Sequence, residues 1–302
     1  MRKTVEFHLI SEWAQAFLFD RRVQGFTAGT VTNYANKLRR FQLFGANNGI
    51  STIESITPTI IRDYLALLER DGLTVITRHG HYAALKTFLK WYESEEEPES
   101  WSNPIEKIKP PKLPNAPIQP ISMAEALKIV DRCPADLQGL RDKAILLTLI
   151  DTGIRASELL QLDIDDFNQV QGSLLIRHGK GDKTRTVYAG KKARKTIRSY
   201  LAQRQDDADA LFVSIIDNSR LTYSGLRWIV LNRSRSAKVK MRGIHTFRRL
   251  YALTMLRNGV DLVTLSRLMG HSDLQVLTRY LAQTDDDLRE AHARSSPVDN
   301  AR

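Results

Sequence analysis

Thr152-Gly153-Ile154-Arg155-Ala156-Ser157-Glu158-Leu159-Leu160 follows an apolar run that contains Ile145, Leu146, Leu147, Leu149 and Ile150. The run predicts a helix from about Leu140 to Asp151, apolar enough to be the buried spine of a domain. Gly153 ends that helix, as glycine commonly does just past a helix C-terminus. A new helix then begins at once, so Arg155 stands at a junction from which its side chain can project into a cleft. On this segment alone, a surface arginine paired with Glu158 three residues on is the simpler reading.

Toward the C-terminus, Ser173 to Arg177 and Thr186 to Tyr188 are β-prone runs. They flank His178-Gly179-Lys180-Gly181-Asp182-Lys183-Thr184-Arg185, a glycine-bearing turn, and together predict a hairpin. Ile244-His245-Thr246-Phe247-Arg248-Arg249 places His245 and Arg248 on one helix face. Phe247, Tyr251 and Met255 recur every fourth residue on the other face, as a core stripe does. A histidine and an arginine turned away from a core are suited to gripping phosphate, because a guanidinium donates two parallel hydrogen bonds. Finally, Leu268-Met269-Gly270-His271-Ser272-Asp273-Leu274-Gln275-Val276-Leu277-Thr278-Arg279-Tyr280 has a helix-breaking Gly270 and a capping Ser272 or Asp273, with Tyr280 nine residues beyond His271. Taken alone, Tyr280 is as readily a packing residue.

Together these segments resemble the tyrosine recombinase, or phage integrase, family. Its pattern is T-G-x-R-x-S-E-L, a lysine in a G-K-G hairpin, H-x-x-R, then L-G-H with a tyrosine nine residues after the histidine. The ordered set is far more specific than any one piece. The resemblance implies that Arg155 and Arg248 clamp a scissile DNA phosphate while His245 and His271 complete the cradle. It makes Lys180 the general acid for the leaving 5′ oxygen, with Lys183 in the same turn the alternative that the G-K-G context disfavours. Glu158 would orient and partly neutralise its neighbours. Tyr280 would attack phosphorus, leaving a 3′-phosphotyrosyl link and a free 5′ hydroxyl, with neither metal nor nucleotide cofactor. One departure stands out: the family usually has histidine or lysine after the H-x-x-R arginine, where this chain has Arg249.

Upstream, Ser122 with Glu125 three positions on is a capping-box start for a helix reaching about Cys133. Pro104, Pro110, Pro111, Pro114, Pro117 and Pro120 forbid regular helix and predict a stiff connector over 104–120. Before it, over 1–103, apolar residues recur at helical spacing in blocks around Trp13, Val31, Ile60 and Tyr82. Thr30, and Thr57 with Pro58, look like helix starts and Gly72 like a stop, giving a bundle of four or five helices. The expected fold is mainly α with a small β-sheet. The resemblance makes the bundle a core-binding domain and 121–294 an α+β catalytic domain, the two forming a clamp around DNA, with a polar tail at 295–302.

The composition agrees with a polyanionic partner. The net charge is +11: residues 1–109 carry 14 basic against 13 acidic side chains, and the remainder 31 against 21. From Arg177 to Arg198 there are nine basic residues and one acid, and from Arg233 to Arg249 seven and none. These stretches, including Lys183, Arg185, Arg242 and Arg249, are expected to track DNA phosphates. In the first domain Lys37, Arg39, Arg40, Arg78 and Lys86 are expected either to complete the clamp or to form a solvated face. The single cysteine, Cys133, reads as a packed apolar residue and fits a reducing cytosol. No stretch has membrane-spanning length, so cytoplasmic location is expected.

The resemblance further implies a homo-tetramer on two DNA sites, acting through a Holliday junction, with accessory DNA-bending or directionality factors. After Tyr280, the segment with Leu281, Leu288 and Ala291 either packs onto a neighbouring protomer or forms a polar tail. Other classes remain in view: a metal-dependent nuclease or transposase using Asp163, Asp165 and Asp166, a non-catalytic DNA-binding regulator, and a type IB topoisomerase.

Overall fold

The computed structural model describes residues 9–98, 101–114, 120–177, 184–241 and 243–270, together with 289, 292, 293, 296, 298 and 299. The chain divides into two compact units, Met1–Asn115 and Ala116–Arg302.

Among the described residues the first unit holds four α-helices: α1 (Ile10–Val23), α2 (Ala28–Asn47), α3 (Pro58–Arg70) and α4 (Val75–Glu96). Threonines start three of them. Thr27, Thr57 and Thr74 each accept a hydrogen bond from the backbone N–H three residues on, which satisfies a donor the helix itself leaves open. The start expected at Thr30 is corrected here: Thr27 is the cap, and Thr30 supplies the N–H it accepts from. The inward faces carry Trp13, Phe17, Phe41, Tyr64, Tyr82, Phe88 and Leu89, which form one aromatic core. The proline-rich stretch begins inside that core. Pro104–Lys107 forms a 3-10 turn, Ile105 and Ile108 are buried with the aromatics, and Tyr82 donates to the Ile108 carbonyl at 2.9 Å. The acidic residues Glu93 to Glu97 are exposed at and beyond the end of α4, a solvated helix end.

The second unit is built on α6 (Leu137–Thr152), preceded by α5 (Met123–Val130). The Ser122–Glu125 capping box starts α5, and the Asp136 carboxylate starts α6 by accepting from Gly139 N at 2.7 Å. The helix thus begins three residues before the expected Leu140. Its Ala144, Ile145, Leu146, Leu147, Leu149 and Ile150 are all buried, and α5, α8 (Lys191–Leu201) and α10 (His245–Arg257) pack against it. A short helix, α7 (Ala156–Leu160), follows. The two strands β1 (Ser173–Ile176) and β2 (Arg185–Tyr188) pair antiparallel with Leu174 opposite Val187, both of them buried. Two more helices, α9 (Tyr223–Ser236) and α11 (Leu262–Met269), complete the described part, and α11 lies against both α10 and β2.

Candidate active site

Two helices of the second unit end in the same way. Gly153 closes α6 at φ +60° and Gly270 closes α11 at φ +63°, the left-handed geometry that glycine adopts without strain. Both glycines are also tightly overlaid. A β-carbon on Gly153 would lie 2.3 Å from Tyr251 Cδ1, and one on Gly270 would lie 2.9 Å from the Arg185 guanidinium.

A helix C-terminus leaves backbone carbonyls without intrahelical partners, and cations gather there. At the end of α11 three consecutive carbonyls are each taken by a different arginine. Arg185 Nε donates to Leu268 O at 3.2 Å, Arg248 Nη2 to Met269 O at 2.6 Å, and Arg155 Nη2 to Gly270 O at 3.3 Å. Arg248 also reaches the end of α6, where Nη1 donates to Gly153 O at 2.6 Å. Its guanidinium therefore ties two helix termini together while only 2% of the residue is exposed. The expected outward-facing arginine is thus corrected: Arg248 points into the domain, beside buried Phe247 and Tyr251.

Glu158 joins two of these arginines. Arg155 donates from its backbone N–H at 2.8 Å and from Nη1 at 2.7 Å, and Arg185 grips both carboxylate oxygens at 2.9 and 2.7 Å. Only 2% of the Glu158 side chain is exposed, against 19% for Arg155 and 11% for Arg185. Burial opposes ionisation, but the bonds from Arg185 and Arg155 outweigh it and hold the Glu158 carboxyl at about 2. The Arg155–Glu158 pair foreseen as a surface contact exists, and it lies inside the domain. Two guanidiniums against one carboxylate leave this triad one net positive charge, which suits an anion.

His245 opens α10 with its side chain open to solvent. Partial desolvation, then the charges of Arg248, Arg249 and Arg155, lower its imidazole below the ordinary histidine range. It is therefore neutral near pH 7 and able to accept a proton. Arg155, Glu158, His245 and Arg248 thus come from one neighbourhood, formed by α7, the start of α10 and the end of α11. Lys180, His271 and Tyr280 lie outside the described residues, as do Lys183, Arg242, Leu281, Leu288 and Ala291.

The other basic residues singled out in the sequence separate into groups. Arg185, expected on DNA, is committed to Glu158 and Leu268. A period-2 reading of β2 carries a signal for this, because Arg185 shares a strand face with buried Val187. Arg249 is half-buried beside His245. In the first unit Arg39 is exposed and Lys86 half-buried, whereas Arg40 and Arg78 pair with Asp71 and Glu69 at 2.6 and 2.7 Å. Lys37 lies against Gly80, and burial lowers its ammonium. Burial pushes the Cys133 thiol up to about 11, which makes it a packing residue and no nucleophile.

Two of the three carboxylates considered for metal are otherwise engaged. Asp163 pairs with Arg220 and Asp166 with Arg177, and a second Asp166 oxygen accepts from Asp163 N at 3.0 Å. Among the described residues no group of three or more histidine, cysteine or carboxylate side chains is placed to hold a metal ion.

Residues 120–287 match the model of the phage integrase family, and residues 17–96 match that of the phage integrase N-terminal SAM-like domain. The chain belongs to the phage integrase family. The tyrosine recombinase XerA of Pyrococcus furiosus is 30% identical to this integrase-family chain, over 97% of this chain and 96% of that protein. Among solved structures, a XerH site-specific recombinase bound to a palindromic difH substrate superposes with a TM-score of 0.73 at 21% identity, covering 90% of this chain and 82% of that one. A lambda integrase tetramer bound to a Holliday junction gives a TM-score of 0.73 at 15% identity, covering 92% and 79%. The mainly helical architecture with one small sheet is the fold of these recombinases. No described helix of this family member is long and apolar enough to cross a membrane.

Proposed function

We propose that this chain is a site-specific DNA recombinase, which cuts and rejoins strands through a covalent 3′-phosphotyrosyl intermediate. The observation that supports it best is the gathering of Arg155, Arg185 and Arg248 on three successive carbonyls at the end of α11. Directly after those carbonyls the chain continues into His271, with Tyr280 nine residues beyond. Fixed guanidiniums stabilise the charge that develops on phosphoryl oxygens during displacement, which is the main demand of this chemistry.

In this reading Arg155 and Arg248 hold the non-bridging oxygens, with His271 completing the cradle. Tyr280 attacks phosphorus as the bond to the 5′ oxygen breaks. A free phenol has a pKa of about 10, so it needs an acceptor near neutral pH, and neutral His245 takes that proton. Lys180 gives a proton to the departing 5′ oxygen. One phosphoester replaces another, so religation by a 5′ hydroxyl needs no external energy source. The basic stretches supply affinity through phosphate contacts, the first unit completes a clamp on the duplex, and four copies act on two sites through a Holliday junction. Accessory DNA-bending or directionality factors and a cytoplasmic location complete the proposal, as do a helical domain and a catalytic domain at 121–294, with the connector between them starting after Ile108, which packs in the first unit's core.

The test uses a pool of nicked suicide duplexes with a randomised central region, incubated with the full chain. Wild type is expected to form detergent-resistant protein–DNA adducts, whose sequences reveal the recombination site, and Tyr280→Phe none. Adducts at wild-type level from the phenylalanine variant, or none from wild type, overturn the reading.

A further inference from the structure

We infer that Arg185 is a positioning residue: it holds Glu158 so that Arg155 keeps a guanidinium face for phosphate, and it is not a DNA contact. The inference rests on the recombinase reading above. Three independent contacts of one side chain carry it.

First, Arg185 takes both oxygens of Glu158, at 2.9 and 2.7 Å, while Arg155 Nη1 shares one of them at 2.7 Å. A carboxylate gripped on both oxygens by Arg185 has less to offer Arg155. Without Arg185, the fork-to-fork geometry between guanidinium and carboxylate becomes available to Arg155, whose donors and charge Glu158 would then absorb. Second, Nε donates to Leu268 O at 3.2 Å, which fixes the end of α11 next to the Gly270 carbonyl that Arg155 also uses. Third, the guanidinium lies across Gly270 so closely that a β-carbon there would approach to 2.9 Å. The glycine of the Met269-Gly270-His271 segment is thus explained twice over, by its left-handed φ and by the arginine above it.

Arg185 also opens β2, directly after the turn that contains Lys180 in sequence. One side chain therefore joins three segments that carry proposed site residues: α7 with Arg155, the end of α11 before His271, and the hairpin. Its Nε and both Nη atoms already donate, to Leu268 O and to the two Glu158 oxygens.

The test compares wild type, Arg185→Gln, Arg185→Lys and the double variant Arg185→Gln/Glu158→Gln, on the duplex selected by covalent capture from the randomised pool. Single-turnover adduct rates and equilibrium DNA affinities are both measured, and circular dichroism confirms folding. Arg185→Gln is expected to slow adduct formation about 100-fold, the scale of a misplaced reacting group, with duplex affinity held within about twofold. Arg185→Lys restores part of the rate. The double variant removes the carboxylate that would absorb Arg155, so it is expected to be faster than Arg185→Gln by about tenfold or more. A purely structural role predicts the opposite, since the double variant loses more native contacts. A wild-type rate in Arg185→Gln, a loss of affinity with a shallower salt dependence, or a double variant no faster than the single each overturns the inference. Failure of wild type to form any adduct would instead strike the recombinase reading.

Discussion

Arg248 Nη2 donates to the carbonyl of Met269 at 2.6 Å, and through Nη1 the same guanidinium reaches Gly153 at an equal distance. A planar fork spans the ends of two helices, which a single ammonium cannot do. Arg248→Lys is therefore expected to leave one buried carbonyl unsatisfied, at about 1–3 kcal/mol of stability. Adduct formation is expected to fall more steeply than stability, by about 100-fold or more, because the proposed phosphate clamp moves with the helix ends. Urea unfolding and single-turnover adduct assays measure the two effects, and an unchanged adduct rate would remove Arg248 from the clamp.

Gly153 has no room for a side chain. Alanine there meets the Tyr251 ring at 2.3 Å and places a β-carbon at φ +60°, so Gly153→Ala combines overpacking with left-handed strain. About 2–4 kcal/mol of destabilisation is expected. A thermal midpoint within a degree of wild type would show that Tyr251 swings aside freely.

Glu158 gives an acid dependence of known sign. Its carboxyl lies at about 2 in the folded chain against an ordinary 4.5, so ionisation stabilises the fold above pH 4.5 and that contribution disappears as pH falls through 2. The depression corresponds to about 3 kcal/mol. Glu158→Gln is expected to be less stable than wild type at pH 7, leaving two arginines without their carboxylate, and to lose less between pH 4.5 and 2. Parallel stability curves for the two proteins over that window would refute the coupling.

His81 acts in a separate window. It is buried with Nδ1 2.8 Å from Tyr64 Oη, and burial, then Lys37 and Arg40, push its imidazole down to about 4 from 6.5. The unfolded chain binds the proton more readily, so the first unit loses stability as pH drops from 6.5 to 4, by up to about 3 kcal/mol. Trp13, Trp91 and Trp101 all pack in this unit, and Trp228 is the only tryptophan elsewhere, so fluorescence-detected unfolding of the full chain follows it. His81→Gln is expected to flatten the profile from 6.5 to 4; an unaltered slope would assign the effect to another group.

Local patterns in the chain spoke clearly where the physics is local. The Ser122–Glu125 capping box, the glycine end of α6 and the helical blocks of the first unit all follow from interactions within about four residues. Thr27 and Thr30 show the resolution limit: both hydroxyls lie at the same helix start, 3.0 Å apart, and the pattern does not say which one caps. The arginine contacts were out of reach for a different reason. Arg185 meets Glu158 across 27 positions and Leu268 across 83, and Arg248 meets Gly153 across 95. Their partners are mostly backbone carbonyls, which every residue has, so no residue type marks them. Ile105 and Ile108 were obscured by surrounding prolines, which exclude helix but do not exclude burial.

Metal dependence separates the proposed chemistry from carboxylate-metal strand cleavage. The three acids that invite a metal, Asp163, Asp165 and Asp166, include two that are paired to Arg220 and Arg177. Asp165 is exposed. Asp166 is buried and also accepts the Asp163 N–H, so its geometry is that of a turn in which each carboxylate oxygen already has a donor. A clamp of guanidiniums needs no divalent ion to offset phosphoryl charge, so covalent adduct formation is expected to proceed at an unchanged rate in excess EDTA. Asp163→Asn and Asp166→Asn should then alter unfolding midpoints, with Asp166→Asn the larger loss because its side chain is buried, while leaving the adduct rate per folded molecule within about twofold. Abolition of strand cleavage by EDTA, restored on adding magnesium, would transfer the chemistry from the arginines to these carboxylates.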